Sequence, residues 1–67
     1  MAGACTYTWR ALLNRVAHSG EMAQLTDATR WGVEDYLGDP EREINESTHK
    51  PTARAVAREL GFTLTDA

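Results

Sequence analysis

The sequence predicts a compact all-α domain of four to five helices, and three observations support this class. Apolar residues recur at intervals of three and four in two segments, about 9–18 and 51–60, which is the period of an amphipathic helix. A glycine follows each segment, where it can close a helix in the left-handed conformation. Alternation typical of strands is confined to 5–9 and 62–65, so any strands are short and terminal.

The length of 67 residues limits the chain to one domain, 1–67. A chain this small buries only about 60% of the surface that its unfolded form exposes, so a partner chain would add stability. Its single cysteine, Cys5, cannot form an internal disulfide and fits a reducing cytosol. No apolar run reaches the roughly 20 residues of a membrane span. We therefore expect a cytoplasmic protein with no membrane partner.

The first helix is expected at about 9–18. Its inward stripe recurs at helical spacing and consists of Trp9, Leu12, Leu13 and Val16. The Thr8 hydroxyl can cap the amino end of this helix, and Gly20 can close the carboxyl end. Cys5 and Tyr7 alternate with threonines just before the helix, which favours a short strand.

A helix-turn-helix is predicted at 19–37. Its parts are a short helix at 21–25, a turn at 26–28 and a second helix that begins at Thr29 and ends at Gly38. In proteins that bind DNA with this motif, the second helix enters the major groove.

One continuous helix over 21–37 is the alternative. Gly32 would destabilise that helix by about 1 kcal/mol relative to alanine. The threonines and the aspartate at 26–29 favour a turn instead, because such side chains bond to their own backbone.

The second half of the chain is expected to hold an exposed, partly helical connection, 38–50, and a last helix, 51–60. Ile44 is the only large apolar residue in the connection, so this segment can anchor little of a core. The last helix directs inward Ala53, Val56, Ala57 and Leu60, and outward Arg54, Arg58 and Glu59. Gly61 closes it, and Phe62 can fold back onto it.

Over about 9–64 the pattern resembles the Cro and phage-repressor superfamily of helix-turn-helix proteins. The residues that carry the resemblance are Met22, Ala23, Asp27, Ala28, Thr29, Val33, Tyr36, Gly38, Pro51 and the run 55–62. Three features depart from it: Asp27 stands where the family usually has a glycine with positive φ, Thr26 replaces an apolar residue, and 39–50 is longer. The resemblance implies a DNA-binding transcriptional regulator, a repressor that acts as a homodimer on a palindromic operator.

Candidate DNA contacts follow from docking the second helix in the major groove. The base-reading side chains would be Thr29, Arg30, Trp31 and Glu34, which are expected on its outward side. Arg30 can donate two hydrogen bonds to guanine, and Glu34 can accept one from cytosine. Alternatively, Arg30 pairs with Glu34 along a solvated helix surface.

Other residues could contact DNA phosphates or a second copy of the chain. The phosphate candidates are Ser19 and Gly20, at the start of the motif, and Thr48, His49 and Lys50, which also fit a solvated loop. Phe62 and Leu64 follow the last helix with little to cover them, so they are the expected dimer contacts.

The net charge of −3 is unusual for a domain that binds the DNA backbone. Most acidic side chains lie between Glu34 and Glu46. The alternative function is therefore a small protein-interaction module, such as an antitoxin, an inhibitor or an anti-repressor. Such a module would present this acidic 34–46 surface to a basic partner.

An enzymatic function is not expected, and neither is a cofactor or a bound metal. Cys5, His18 and His49 are the only thiol and imidazole groups, and they lie far apart in the sequence. A core of this size also rarely encloses a substrate pocket.

Overall fold

The structure is a computed structural model that describes residues 6–65. Its elements are, in chain order, β1 (Thr6–Tyr7), α1 (Trp9–Ala17), a short 3₁₀ helix (Gly20–Gln24), α2 (Asp27–Gly38), α3 (Glu46–Leu60) and β2 (Thr63–Leu64). The described chain is mostly helical, as predicted. Four to five helices are too many, however, because residues 6–65 form three α-helices and one short 3₁₀ helix, and the predicted connection contains no separate helix of its own. The predicted strand residue Cys5 lies outside the described residues.

Helix α1 forms as predicted and provides one wall of the core. Thr8 Oγ1 accepts a hydrogen bond from the Ala11 amide at 3.2 Å, which caps the amino end of the helix. The four predicted inward residues are all buried, namely Trp9, Leu12, Leu13 and Val16. No helix within residues 6–65 has both the length and the apolarity that a bilayer span requires.

Helix α3 packs against both α1 and α2. The core residues outside α1 are Leu25, Val33, Tyr36, Ala53, Val56, Ala57 and Leu64. The rings of Trp9 and Tyr36 pack edge-on with their centroids 6.2 Å apart. The buried Tyr36 hydroxyl donates to Asn14 Oδ1 at 3.0 Å, so its polar end is satisfied.

Helix α2 begins at Asp27, before the predicted start at Thr29. Leu25 and Thr26 have extended backbones, with ψ of 151° and 159°, and they make the turn. Asp27 therefore does not occupy a left-handed turn position. Within residues 6–65, Gly61 alone has a positive φ. As the first residue of α2, Asp27 instead interacts favourably with the positive end of the helix dipole.

Helix α3 begins at Glu46, more than one turn before the predicted start at residue 51. The prediction that 38–50 is an exposed connection is therefore wrong for its last part. His49 explains the difference, because it is 1% exposed and extends the inward stripe of the helix by one turn. Pro51 lies inside α3 on its exposed side, where it removes one backbone hydrogen bond.

Strands β1 and β2 form a two-stranded parallel sheet in which Tyr7 pairs with Leu64. The Thr65 amide donates to the Tyr7 carbonyl at 2.8 Å. The Phe62 ring meets the Tyr7 ring edge-on at 5.4 Å, and the Arg15 guanidinium lies 5.0 Å from the Phe62 centroid. Leu64 is buried. The expectation that both residues are left uncovered is wrong for Leu64, whereas Phe62 is only partly buried against this chain. A dimer contact through these residues stays a prediction.

Candidate functional site

The outward side of α2 presents a large aromatic side chain among carboxylates. Trp31 is 62% exposed. Asp27, Glu34 and Asp35 lie one turn away from it on the same side and are exposed as well. We call these four residues the α2 face. Leu37, also exposed, lies at its border. Trp31 and Glu34 thus occupy the outward positions predicted for them.

Arg30 is the only cation of α2, and it is bound to a carboxylate of the same helix. Its Nη2 donates to Asp27 Oδ1 at 2.7 Å. The surface pairing expected for Arg30 exists, but its partner is Asp27 and not Glu34. Neither Glu34 nor Asp35 forms an ion pair within the described chain. The α2 face is therefore acidic.

Thr29 lies on the inward side of α2, so the prediction of an outward, base-reading position is wrong. It is buried, and its Oγ1 donates to Glu59 Oε2 of α3 at 2.7 Å. The Thr26 amide donates to Glu59 Oε1 at 2.9 Å. These bonds lower the pKa of Glu59, the one from Thr29 having the larger effect and the one from the Thr26 amide the next. This carboxylate caps the amino end of α2 and joins the helix to α3.

Ser19 and Gly20 begin a helical segment as predicted, but a carboxylate already lies at its amino end. Ser19 Oγ accepts from the Glu21 amide at 3.2 Å and lies 2.9 Å from Glu21 Oε1. Glu21 also forms an ion pair with Arg15 at 3.2 Å, and this hydrogen-bonded contact lowers the pKa of Glu21. A phosphate bound here would be repelled by a charge of its own sign.

The three later phosphate candidates lie in the first turns of α3 and do not form one site. Thr48 is exposed, whereas His49 faces the core. Lys50 Nζ pairs with Glu46 at 3.2 Å. The interpretation of these residues as a solvated loop is wrong, because they are helical and His49 is buried.

His49 belongs to a hydrogen-bonded cluster around Asp39, the residue that follows α2. Asp39 Oδ2 accepts from Asn45 Nδ2 and His49 Nε2, each at 2.7 Å, and Oδ1 accepts from the Glu41 amide at 2.9 Å. The bond from Asn45, followed by those from His49 and Glu41, lowers the pKa of Asp39 to about 2. The cluster fixes the connection against α3.

The acidic surface predicted as an alternative docking site is interrupted in the structure. Asp39 is engaged internally, and Glu43 and Glu46 form ion pairs with cations of α1 and α3. Two of the predicted carboxylates, Glu34 and Asp35, instead belong to the α2 face.

The structure also aligns three cations on α3. From the sequence, one of them, Lys50, was a phosphate candidate, and the other two had no predicted role. Lys50, Arg54 and Arg58 are spaced by four residues, so they lie above one another along the helix. We call them the α3 stripe. Arg54 and Arg58 are exposed and form no ion pair with any residue in 6–65. Their regular spacing was the signal that could have revealed the stripe.

An open groove lies beside the α3 stripe. It is lined by Ile44, Glu46, Ser47, Lys50, Pro51 and Arg54. Ile44 is 75% exposed, more than any other large apolar side chain of the described chain. The groove therefore combines apolar surface with the cations of α3.

No three histidine, cysteine, aspartate or glutamate side chains within residues 6–65 are grouped as a metal site would require. Comparisons with protein-family models, with curated proteins and with solved structures gave no match. The function of the chain is therefore inferred from its own geometry.

Proposed function

We propose that this chain is a small protein-interaction module that docks its partner on the α2 face. The observation that carries the proposal is the exposure of Trp31, an indole that is 62% exposed among carboxylates. Tryptophan is enriched at the energetic centres of protein interfaces, because it buries a large apolar area and still offers a hydrogen-bond donor. The partner would offer an apolar pocket for this indole.

The charge of the α2 face determines which charge the surface of the partner should carry. Arg30 is bound to Asp27, and Glu34 and Asp35 form no ion pair within the described chain. Carboxylates around an apolar anchor accelerate association with a basic surface and disfavour an acidic one. The proposed partner is therefore a basic protein surface.

Helix α2 is held at both ends, which supports a preformed docking face. Glu59 binds Thr26 and Thr29 at the amino end of α2, and the Asp39 cluster follows the carboxyl end of this helix. A rigid face loses little conformational entropy when a partner binds. The free energy gained by burying the indole is then not offset by the cost of ordering the helix.

Peptide display tests this proposal. Random peptides are selected on the purified chain and, in parallel, on the Trp31→Ala variant. We expect the unmodified chain to enrich peptides with a net positive charge and an apolar residue, and the variant to lose them. The Kd of a synthesised peptide, measured by the change in tryptophan fluorescence, should rise several-fold in Glu34→Gln. Glu43→Gln, a matched change in the connection, should leave the Kd unchanged. Equal binding by Trp31→Ala, or enrichment without charge bias, would contradict the proposal.

A second candidate function, DNA binding by a transcriptional regulator, is supported by the α3 stripe. Arg54 and Arg58 are exposed without an ion-pair partner in residues 6–65, as phosphate-binding cations need to be. In this case the DNA backbone would contact α3, and the acidic α2 face would point away from it. Homodimer binding to a palindromic operator stays a prediction from the sequence.

Titration of duplex DNA at low and high salt tests the second candidate. Arg54→Gln and Arg58→Gln should each reduce the slope of log K against log salt by about 1, because each removes one phosphate contact. Arg10→Gln, on α1, is the control and should leave the slope unchanged. If Arg30→Ala abolishes binding while Arg54→Gln does not, the contact lies on α2 instead.

A further inference from the structure

Two exposed surfaces of this chain complement each other. The α2 face places Trp31 beside Glu34 and Asp35. The groove beside α3 contains exposed apolar surface from Ile44. Lys50 and Glu46 in this groove bind each other, whereas Arg54 forms no ion pair within residues 6–65. Each surface therefore has an apolar part and an unpaired charge, and the signs of the charges are opposite.

The two surfaces do not meet within one molecule. Thr52 lies against Gly32 of α2, and Glu59 binds the amino end of α2, so these two residues mark the side of α3 that packs on α2. Helical spacing places Arg54 and Arg58 on the opposite side. Contact between the α2 face and the groove therefore requires a second copy.

We propose that this chain self-associates head to tail, with the α2 face of one copy seated in the α3 groove of the next. This inference rests on the α2 face being a docking face, as in the proposed function. Trp31 of one copy packs against Ile44 and Pro51 of the neighbouring copy. The carboxylates of the α2 face approach Arg54 of that neighbour. Each copy has one face and one groove, so the contact is heterologous. Assembly therefore continues beyond two copies unless the copies close into a ring.

The contact is weak and depends on concentration and salt. The accessible surface of the chain is 3996 Å², and a standard interface takes about 800 Å² from each partner, about a fifth of this surface. One side of a three-turn helix provides less than that. Because self-association covers the α2 face, it competes with docking of a basic partner, and dilution frees the face.

Sedimentation equilibrium over a range of concentrations tests this inference with two complementary variants. Trp31→Ala removes the anchor of the face and keeps the groove, whereas Arg54→Glu reverses the charge of the groove and keeps the face. Both residues are exposed, so both variants should keep the circular dichroism of the unmodified chain. Arg10→Glu makes the same charge change outside the groove and is the control.

We expect the average mass of the unmodified chain and of Arg10→Glu to rise from 7.4 kDa with concentration and to fall again in high salt. Each of the two variants alone should remain at the monomer mass. Their equimolar mixture should reach the dimer mass and stop there, because it contains one intact face and one intact groove per pair.

Two outcomes would overturn the inference. The unmodified chain could stay monomeric at millimolar concentration, or the mixture could stay monomeric although the unmodified chain associates. Neither outcome affects the proposed function, because basic peptides are titrated on the dilute monomer. If the unmodified chain binds no basic peptide but still self-associates, the proposed function is rejected and the head-to-tail contact stands.

Discussion

A Cβ atom added to Gly32 of α2 would lie 2.6 Å from Thr52 Oγ1 and 2.8 Å from Thr52 Cγ2 of α3. These distances are too short for non-bonded atoms, so Gly32 marks a point where α2 and α3 pack without room for a side chain. Gly32 therefore serves the packing of two helices of this chain.

Gly32→Ala should destabilise the fold although alanine is the better helix former. Propensity alone would stabilise α2 by about 1 kcal/mol, whereas overpacking a close contact costs about 1 to 3 kcal/mol. Thr52 is β-branched and has few rotamers in a helix that could relieve the clash. We expect the free energy of unfolding in urea to fall by about 1 kcal/mol. At Gly38 an added Cβ has no neighbour within 4 Å, so Gly38→Ala is the matched control and should not destabilise.

The cost of Gly32→Ala should depend on Thr52. Thr52→Ala removes the two nearest atoms, so the double variant should recover most of the lost stability. A cost that is the same with and without Thr52 would show that this contact is not its cause.

Thr29→Val should lower the Tm by about 4 to 8 °C, because it removes one hydrogen bond to Glu59 and keeps the shape of the side chain. Thermal denaturation followed by circular dichroism measures the change. Thr48→Val, an exposed change of the same kind on α3, is the control. An unchanged Tm would show that the hydrogen bond from Thr29 to Glu59 does not stabilise the fold.

Asp39 makes the stability of the fold sensitive to acid. Its pKa falls from an ordinary value of 3.8 to about 2 in the folded chain. Between these values the unfolded chain binds more protons, so the contribution of Asp39 is complete above about pH 4 and is lost as the pH falls towards 2. Urea unfolding across this range should give a smaller pH dependence for Asp39→Asn than for the unmodified chain. Equal dependence in both would contradict the role of the cluster.

Arg15 should keep the strand pair closed. Its Nη1 donates to the Tyr7 hydroxyl at 2.6 Å, and its guanidinium lies over the rings of Tyr7 and Phe62. Arg15→Gln should therefore speed hydrogen exchange of the Thr65 amide, which donates to Tyr7, while amides in the middle of α3 exchange as before. Arg10→Gln, on the same helix, should change neither. Faster exchange throughout the domain would contradict a local role.

The two tryptophans should respond differently to truncation. Trp9 is 4% exposed and Trp31 is 62% exposed. Trp9→Ala should cost about 3 to 5 kcal/mol, a large part of the stability of a small domain. Trp31→Ala should change the free energy of unfolding by about 0.5 kcal/mol or less. If Trp31→Ala is as damaging as Trp9→Ala, Trp31 is structural and the docking proposal loses its basis.

The sequence predicted the elements whose stability comes from local apolar spacing. The stripe that starts at Trp9 gave α1 almost to the residue, and alternation at the chain ends indicated the strands. The amino end of α3 was missed because His49 looks polar. Its burial depends on Asp39, whose carboxylate satisfies the imidazole from across the connection.

Long-range partners account for the remaining differences. Thr26 and Thr29 are both good helix caps, and Glu59 on a distant helix binds the two of them, so local pattern could not choose the start of α2. The exposure of Trp31 followed from the sequence. The pairing of Arg30 with Asp27, which leaves the α2 face acidic, did not, because several carboxylates lie within its reach along the helix.

The parallel pairing of Thr6 with Thr63 joins the two ends of the described chain. Closing so long a loop costs more chain entropy than closing a short one, and two residues on each strand return few contacts. The sheet should therefore form after the rate-limiting step of folding, once α1 and α3 have packed. Weakening the sheet should then speed unfolding more than it slows folding. The strand pair therefore slows the unfolding of a domain whose helices pack first.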